Sequence, residues 1–138
     1  MNDPLPTIFG IGFDLIDNSR IENSIAQKGQ KFLDRIFTAA EQSYCQSKPR
    51  PFESFAARWA AKEAVMKVLG TGWGNGVNFA DIEVINDQLG KPTIVLSGHA
   101  AELASQLNIC GWMLSLSHTA TTAGAMVTAL SARPHEQA

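Results

Sequence analysis

Apolar and small residues alternate near the start of the chain in the pattern of a β-strand, predicted over residues 7–13. Gly10 and Gly12 share one face of this strand with Asp14, because successive side chains point to opposite faces. The glycine face allows another backbone to approach closely. The opposite face is the predicted core face, with the side chains of Phe9, Ile11, Phe13 and Leu15.

Three helices are predicted in the next part of the chain. The first covers residues 17–29, with Asp17 as its N-cap and a glycine at its end. The second begins at the capping box Thr38–Glu41 and is broken by two prolines. The third is a long helix over residues 52–69 that stops at Gly70.

The second half of the sequence indicates two hairpins and one helix, over residues 82–85 with 93–96, 97–108, and 112–118 with 123–130. The polar residues 131–138 are expected to form a loose tail. Together, the 138 residues predict a single α+β domain with a hairpin-rich antiparallel sheet packed on the long central helix.

Glu63 lies where the long helix is otherwise apolar. At about 100° of rotation per residue, Phe55, Trp59 and Met66 form a bulky stripe and Glu63 falls near its middle. A buried carboxylate is costly unless a cation or hydrogen-bond donors satisfy it. Two interpretations stay open, namely an ion pair with Lys67 four residues later, and a metal-binding or catalytic role.

Asp14 has a similar character, because it ends an apolar strand beyond two glycines of its own face. The simpler interpretation is a capping or turn aspartate, although Asp17 is better placed to cap the helix. Two carboxylates from different elements suit Mg²⁺, which prefers oxygen ligands and is usually completed by water and substrate phosphate.

Two further features are weak signals by themselves. The glycine-rich segment 70–76 follows a helix, whereas a phosphate-binding loop precedes one, so the segment is interpreted as a connector. His118 ends a strand directly after Ser117, where a lone histidine is more often structural than catalytic. The serines lack the flanking glycines of a hydrolase nucleophile elbow.

Composition excludes several classes of protein. The formal net charge of −2 argues against a nucleic-acid partner. Cys45 and Cys110 are far apart, which disfavours a disulfide framework or a thiolate metal site and favours reduced thiols in the cytoplasm. No signal peptide and no membrane span is expected, because the chain lacks a sufficiently long apolar segment.

Taken together, these segments resemble the holo-[acyl-carrier-protein] synthase family of phosphopantetheinyl transferases. The matching segments occur in the family's order from residue 8 to about residue 130. They are Gly10–Leu15 with Arg20 and Ile21, Phe37–Glu41, Phe55–Ala64 with Lys67 and Gly70–Gly72, Gly90–Pro92, and Ser115–His118. The block Trp59–Ala64 with the leading glycine–aspartate strand is highly specific.

The resemblance implies the 4′-phosphopantetheinyl transferase fold and a Mg²⁺-dependent reaction. The 4′-phosphopantetheine group would pass from coenzyme A to a serine of an apo acyl carrier protein in fatty acid biosynthesis, releasing 3′,5′-ADP. It implies that Asp14 and Glu63 bind the metal, and that Lys62 and His118 contact the pyrophosphate. Glu63, Lys62 and His118 are then the catalytic residues. The implied coenzyme A site comprises Arg58, Lys62, Lys67, Gly70, Ser117 and His118.

Small members of the family are homotrimers with active sites at subunit boundaries, so the resemblance implies the same assembly here. Thr119 stands where many relatives place an acidic residue, so this chain has no carboxylate there for proton transfer. The group that takes the serine proton is left open between metal-bound water and Glu63 acting through such a water.

A positively charged stretch between residues 20 and 35 predicts a docking surface for an acidic carrier protein, chiefly through Arg20, Lys31 and Arg35. The alternative is an ordinary solvated helix face. Two rival functions also stay open. One is a non-catalytic module that binds coenzyme A or a nucleotide, and the other is a relative dedicated to a polyketide-type carrier.

Overall fold

The computed structural model describes residues 5–71 and 76–132. Its helices and strands follow the order expected of an α+β protein. They are β1 (Pro6–Asp17), α1 (Asn18–Lys28), α2 (Gln30–Ile36), α3 (Ala39–Gln46), α4 (Pro51–Leu69), β2 (Ile82–Asn86), β3 (Pro92–Leu96), α5 (Gly98–Gln106), β4 (Ile109–His118) and β5 (Thr122–Ala132). A short 3₁₀ turn, Phe79–Asp81, precedes β2.

The strands form two antiparallel sheets rather than one. The larger sheet has the order β1-β5-β4, and β2 pairs only with β3. Both predicted hairpins are therefore present, with Ile82 opposite Leu96 in one and Leu114 opposite Val127 in the other. The mixed helical and antiparallel architecture confirms the predicted fold class.

Helix α4 is central, as predicted, and it packs against β1 and β5 of the larger sheet. Small side chains make this possible, because Ala56, Ala60, Ala61 and Ala64 are fully buried. A proline occupies its first position, where a missing N–H costs nothing. The helix ends at Gly70, whose φ of 74° is the left-handed conformation that glycine adopts without strain.

The predicted core face of β1 is wrong. Ile11, Phe13 and Leu15 are 61, 54 and 61% exposed, and the glycine face packs on α4 instead. A Cβ atom added to Gly12 would overlap the backbone oxygen of Ala64, so only glycine permits this contact. The strand and the helix approach too closely for large side chains between them, which therefore lie on the other side of the sheet.

Those apolar side chains form what we call the outer sheet face. Phe13 lies opposite Met126 on β5, and Ile11 is in the row that ends at Met113 on β4. Residues directly opposite each other in antiparallel strands point to the same side. The outer sheet face comprises Ile11, Phe13, Leu15, Met113 and Met126, all exposed.

Two other expectations are modified. The separate helix α2 was not predicted, and it begins after Gly29, which has a φ of 64°. Ser131 belongs to β5 and pairs with Thr7 and Ile109, so the loose tail does not begin there. Residues 133–138 of that tail and positions 72–75 of the glycine-rich segment lie outside the described residues.

The expectations about the two cysteines and about a membrane span can also be compared with the structure. Cys45 is buried and Cys110 is exposed, and both are free thiols. Among the described helices, none combines the length and the hydropathy that crossing a membrane requires.

Candidate active site

Asp14 and Lys67 form an ion pair where β1 meets α4. The Nζ atom of Lys67 lies 3.1 Å from Asp14 Oδ1, and it donates a second hydrogen bond of 2.8 Å to the backbone oxygen of Phe13. The Lys67 side chain is 58% exposed and that of Asp14 is 15% exposed. The pair therefore borders solvent and is accessible to a charged ligand.

Glu63 lies one turn before Lys67 on α4, and residues four apart on a helix share a face. Its side chain is half-buried. The contact between Gly12 and Ala64 sets how closely β1 approaches α4. Asp14 lies on the same face of β1 as Gly12, and Glu63 directly precedes Ala64 on α4. The two predicted carboxylates, Asp14 and Glu63, therefore belong to the strand and the helix that meet at this contact.

The donor set at this contact can be compared with the needs of different metals. Within residues 5–71 and 76–132, no group of three or more His, Cys, Asp or Glu side chains is placed to hold a metal ion. Asp14 and Glu63 offer two carboxylates, which is too few for a structural zinc site. Mg²⁺ is commonly held by one or two carboxylates together with water and substrate phosphate, so these residues fit Mg²⁺.

Lys62 does not lie at this contact, and its implied pyrophosphate contact needs correction. Its side chain is 0% exposed and its Nζ atom lies 2.8 Å from Glu41 Oε1, whose side chain is also 0% exposed. The same nitrogen donates to the backbone oxygens of Phe79, at 3.1 Å, and of Ile82. Since an ammonium group has three donors, Lys62 has none left for a ligand.

Glu41 is equally committed. Its Oε1 atom also accepts from the Thr38 backbone N–H at 2.9 Å, and its Oε2 atom accepts from the Val84 backbone N–H at 2.8 Å. Burial lowers the pKa of Lys62 and the Glu41 carboxylate opposes that shift. This closed network joins α3, α4 and β2, and it makes Lys62 a structural residue.

His118 borders a groove at the end of β4, which we call the histidine groove. Its Nδ1 atom lies 3.3 Å from Glu53 Oε1 at the start of α4. The groove has a volume of about 320 Å³, and a second cavity of about 430 Å³ adjoins it at His118. The first is lined by Tyr44, Ser54, Ala57, Arg58, Asn86, Pro92, Leu114, Ser115, Leu116 and His118.

Arg58 contributes fixed positive charge to the histidine groove. Its guanidinium group stacks 4.3 Å from the centre of the Tyr44 ring, and its Nη2 atom donates to Asn86 Oδ1 at 2.5 Å. Lys48 lies 4.4 Å from the centre of the same ring, and its side chain lines the adjoining cavity. The buried Nε atom of Arg58 has no hydrogen-bond partner within the described residues. Arg58 is only 3% exposed, so the histidine groove has one largely covered cation in its wall, and the exposed Lys48 adds a second cation in the adjoining cavity. Cations of this kind suit a phosphate ligand.

Ser117 and Gly70, which the resemblance also assigns to the coenzyme A site, are not among the residues that line the histidine groove. Ser117 is exposed on the outer sheet face, in a row with Gly124 and Leu15. It lines a shallow cavity of about 260 Å³ together with His118. Gly70 lies at the end of α4, with open space where a side chain would begin. Ser117 and His118 therefore line one cavity, whereas Gly70 is the residue that ends α4.

The predicted docking residues surround one groove, which we call the basic groove. It has a volume of about 700 Å³ between α1, α2 and α4. Its rim carries four exposed cations, and its floor is apolar and buried. The rim residues are Arg20, Lys28, Lys31 and Arg35, and the floor residues are Ile21, Phe32, Ile36 and Trp59.

Sequence reasoning missed several residues of the histidine groove and of the cavity that adjoins it. Tyr44, Glu53 and Asn86 come from three different elements, and nothing in their spacing along the chain connects them. Their roles depend on partners that are far away in the sequence. Arg58 and its hydrogen-bond partner Asn86, for example, are 28 positions apart. A pattern read along one element could not identify them.

Comparison with known proteins supplies the context for this site. A family model described as the 4′-phosphopantetheinyl transferase superfamily matches residues 10–121. A holo-[acyl-carrier-protein] synthase from Solibacter usitatus is 49% identical over 113 residues, which is 82% of this chain and 90% of that protein.

Solved structures agree with this similarity. A holo-[acyl-carrier-protein] synthase from Helicobacter pylori, in complex with coenzyme A, has a TM-score of 0.77 and 33% identity, covering 87% of this chain and 99% of that one. The corresponding enzyme from Neisseria meningitidis has a TM-score of 0.81 and 34% identity, covering 89% of this chain and 98% of that one.

Proposed function

The chain belongs to the 4′-phosphopantetheinyl transferase superfamily, as an enzyme of its holo-[acyl-carrier-protein] synthase family, and we propose that it modifies a serine of the apo acyl carrier protein of fatty acid biosynthesis. The transferred group is 4′-phosphopantetheine from coenzyme A, and 3′,5′-ADP is the other product. The observation that supports the proposal is the close approach of Gly12 to α4, since Asp14 lies on the same face of β1 and pairs with Lys67, and Glu63 lies one turn before Lys67.

Asp14 and Glu63 would hold Mg²⁺, since oxygen ligands at a solvent-bordering contact suit this ion. When bound, the metal would neutralise charge on the coenzyme A pyrophosphate and act as a Lewis acid. Lys67 would supply the positive charge for the pyrophosphate that the resemblance assigned to Lys62, because its ammonium group lies at Asp14 and its side chain is exposed.

Coenzyme A carries several phosphates, and the histidine groove offers the guanidinium group of Arg58 and the imidazole of His118 for them. Arg58 and His118 lie on this groove, and Ser117 lies at its outer side. Leu116, two residues before His118, is in the same cross-strand row as Ala125 and Asp14. One extended ligand could therefore reach from the groove to the carboxylates, which supports a single site.

In the proposed reaction, the carrier serine Oγ forms a bond to the β-phosphorus of coenzyme A. The bond from that phosphorus to the bridging pyrophosphate oxygen breaks, and the electron pair leaves with 3′,5′-ADP. The serine proton passes to a base, for which Glu63 acting through water is our candidate. The nucleophile comes from the partner, so this chain needs no activated serine or cysteine of its own.

We also propose a homotrimer with active sites at its subunit boundaries. The outer sheet face supports this assembly, because exposed contiguous apolar patches commonly mark protein interfaces. Ser117 and Phe13 line one cavity on this face, so a neighbouring subunit there would border the proposed coenzyme A site. Phe13→Glu should dissociate the assembly in light-scattering measurements, while Val95→Glu on β3 should not.

The basic groove is the proposed docking surface for the carrier protein. Its cationic rim complements an acidic partner, and its apolar floor offers a place for a hydrophobic side chain. Arg20→Glu should raise the Michaelis constant for the carrier much more than that for coenzyme A. Equal effects on both constants would count against docking there.

We place the enzyme in the cytoplasm as one domain over residues 1–138. The two free thiols support a reducing compartment, since disulfides are rare there. One contiguous cluster of buried side chains includes residues from α1 to α4 and from β5, which supports a single folding unit.

Mass spectrometry of a carrier protein incubated with this chain, coenzyme A and Mg²⁺ tests the function. We expect a mass gain of one phosphopantetheine group, and its near-complete loss with Asp14→Asn or Glu63→Gln. Glu102→Gln, an equivalent change at an exposed position on α5, is the control. No mass gain with the wild-type chain would favour a non-catalytic binding module. Preference for a polyketide-type carrier in the same assay would redirect the substrate assignment.

A further inference from the structure

Asn18 is a polar side chain in a buried position that the proposed reaction does not use. It is the first residue of α1, and only 5% of its surface is exposed. Its Nδ2 atom donates a 2.9 Å hydrogen bond to the backbone oxygen of Thr119, 101 residues away. Because a carbonyl oxygen only accepts, the atom of Asn18 that faces it must be the NH₂ group.

The Oδ1 atom of the same amide shows that burying Asn18 costs stability. Asn18 Oδ1 is buried and has no hydrogen-bond partner among the described residues. A buried acceptor without a partner is unfavourable, and an aliphatic side chain of similar size would avoid that penalty. What an aliphatic side chain cannot supply is the hydrogen bond to Thr119.

Thr119 belongs to the turn between β4 and β5 and directly follows His118. Its Oγ1 atom accepts from the backbone N–H groups of Thr121 and Thr122, at 3.2 and 3.0 Å, so the turn is internally closed. The backbone N–H of Asn18 donates to Thr121 O at 2.8 Å. Asn18, at the start of α1, therefore holds two backbone carbonyl groups of this turn. Its side chain donates to Thr119 O and its backbone N–H donates to Thr121 O.

His118 is held from the other side by Glu53, at 3.3 Å. The imidazole thus depends on α4 for its ring partner, and the peptide that follows it depends on Asn18. We propose that Asn18 is a positioning residue for His118, which fixes the end of β4 so that the histidine groove is preformed for coenzyme A. This inference rests on the proposed function, because it assumes that His118 contacts coenzyme A.

The backbone bond from Asn18 to Thr121 survives any substitution except proline. A side-chain change at position 18 therefore leaves α1 anchored and releases only Thr119 O. For this reason the basic groove, with Arg20 on its rim, should be unaffected. The expected change is confined to the coenzyme A side.

The test is calorimetric titration of coenzyme A, with Mg²⁺ and without carrier, into the wild type and Asn18→Leu. We expect the dissociation constant to rise about three- to tenfold, the effect of one lost hydrogen bond. The thermal midpoint of Asn18→Leu should stay equal or rise, because the unpartnered Oδ1 atom is removed. Affinity for coenzyme A would then fall without a loss of stability, which a merely structural role does not predict.

Asn18→Ser provides a second variant if leucine disturbs the fold, because serine is too short to reach Thr119 O. Asn23→Leu, the same chemical change at an exposed position of α1, is the matched control and should bind like the wild type. In nuclear magnetic resonance spectra, the His118 ring signal, assigned by its absence in His118→Gln, should broaden or shift in both Asn18 variants.

The outcomes separate the two levels of the argument. If the wild type binds coenzyme A and both Asn18 variants bind it equally well, this inference is overturned and the proposed function stands. If the wild type does not bind coenzyme A at all, the proposed function fails together with the inference. A rise in the carrier Michaelis constant equal to that for coenzyme A would also overturn the positioning role.

Discussion

Helix α4 carries two lysines that each pair with a carboxylate, yet the two pairs lie in opposite surroundings. Lys62 and Glu41 lie 2.8 Å apart with both side chains fully buried. Lys67 and Asp14 lie 3.1 Å apart, and the lysine is 58% exposed. Only five positions separate the two lysines, so the helix turns one toward the core and the other toward solvent.

The difference shows which pair can do chemistry. At the buried pair, three acceptors occupy the three donors of Lys62, so a ligand would have to displace the protein's own hydrogen bonds. At the exposed pair, water already competes for the charges, and a phosphate or metal can replace it. A lysine beside a candidate catalytic glutamate is therefore not a ligand by adjacency alone.

The largest effect on stability is expected when the buried pair is broken. Lys62→Met leaves Glu41 as an unpaired charge in the core, which should lower the free energy of unfolding by about 3–5 kcal/mol. Urea denaturation measures this change. Lys67→Met, the same substitution at the exposed pair, is the matched control and should lower stability by less than about 1 kcal/mol.

A double variant sharpens this test. Replacing both partners, with Lys62→Met and Glu41→Leu, removes the stranded charge and should recover a large part of the lost stability. Carrier modification by the folded double variant should then exceed that of Lys62→Met. If Lys62→Met were stable and inactive, the buried lysine would have a direct role in the reaction and our assignment would be wrong.

A smaller effect is expected at Gly12, on which the exposed pair depends. A Cβ atom at this position overlaps Ala64 O, so Gly12→Ala must separate β1 from α4. Overpacking of this kind costs about 1–3 kcal/mol. Transfer activity should fall by more than the loss of folded protein explains, because Asp14 moves away from Glu63. Gly111→Ala is the control, since the nearest atom there is 3.9 Å away.

The third expectation concerns function at nearly constant stability. Lys67→Met should reduce the rate of carrier modification about tenfold or more, because it removes a positive charge that would stabilise the negative charge developing on the phosphate. The melting temperature should change by only a few degrees, since an exposed ion pair contributes little. Wild-type turnover by this variant would remove Lys67 from the site.

Much of the fold could be predicted because its signals are local. Thr38 and Glu41 form the predicted capping box, with both reciprocal hydrogen bonds present at 3.2 and 2.9 Å. Gly70 ends α4 in the left-handed conformation. Caps and turns depend on residues three or four positions apart, so a linear pattern contains them.

The face of β1 could not be predicted in the same way. Alternation shows that Phe13 and Gly12 lie on opposite faces, but it does not show which face meets α4. The glycines were the better signal, because a helix as rich in alanine as α4 can approach a strand only where both surfaces are small. Their large apolar side chains predict a core face for residues 9, 11, 13 and 15, yet Ile11, Phe13 and Leu15 form part of the outer sheet face.

The residues of the candidate site could be singled out in part for a related reason. Asp14 and Glu63 stand out as carboxylates in apolar segments, a property of each segment alone. The distinction between Lys62 and Lys67 depends on Glu41 and Asp14, which lie 21 and 53 residues away along the chain. The orientation of each lysine is therefore a tertiary property, outside the reach of periodicity.

Cys45 gives the mildest probe of the same comparison, because it reports on the buried side without changing it. Burial raises the pKa of its thiol to about 12, and the nearby cations of Arg58 and Lys62 only partly oppose that shift. At pH 8 we therefore expect iodoacetamide to modify the exposed Cys110 while Cys45 stays unmodified, as peptide mass spectrometry would show. Lys62→Met should open the core enough for slow modification of Cys45, whereas Lys67→Met should leave it protected. Equal modification of Cys45 in the two variants would mean that the two lysine pairs do not differ in how they support the core.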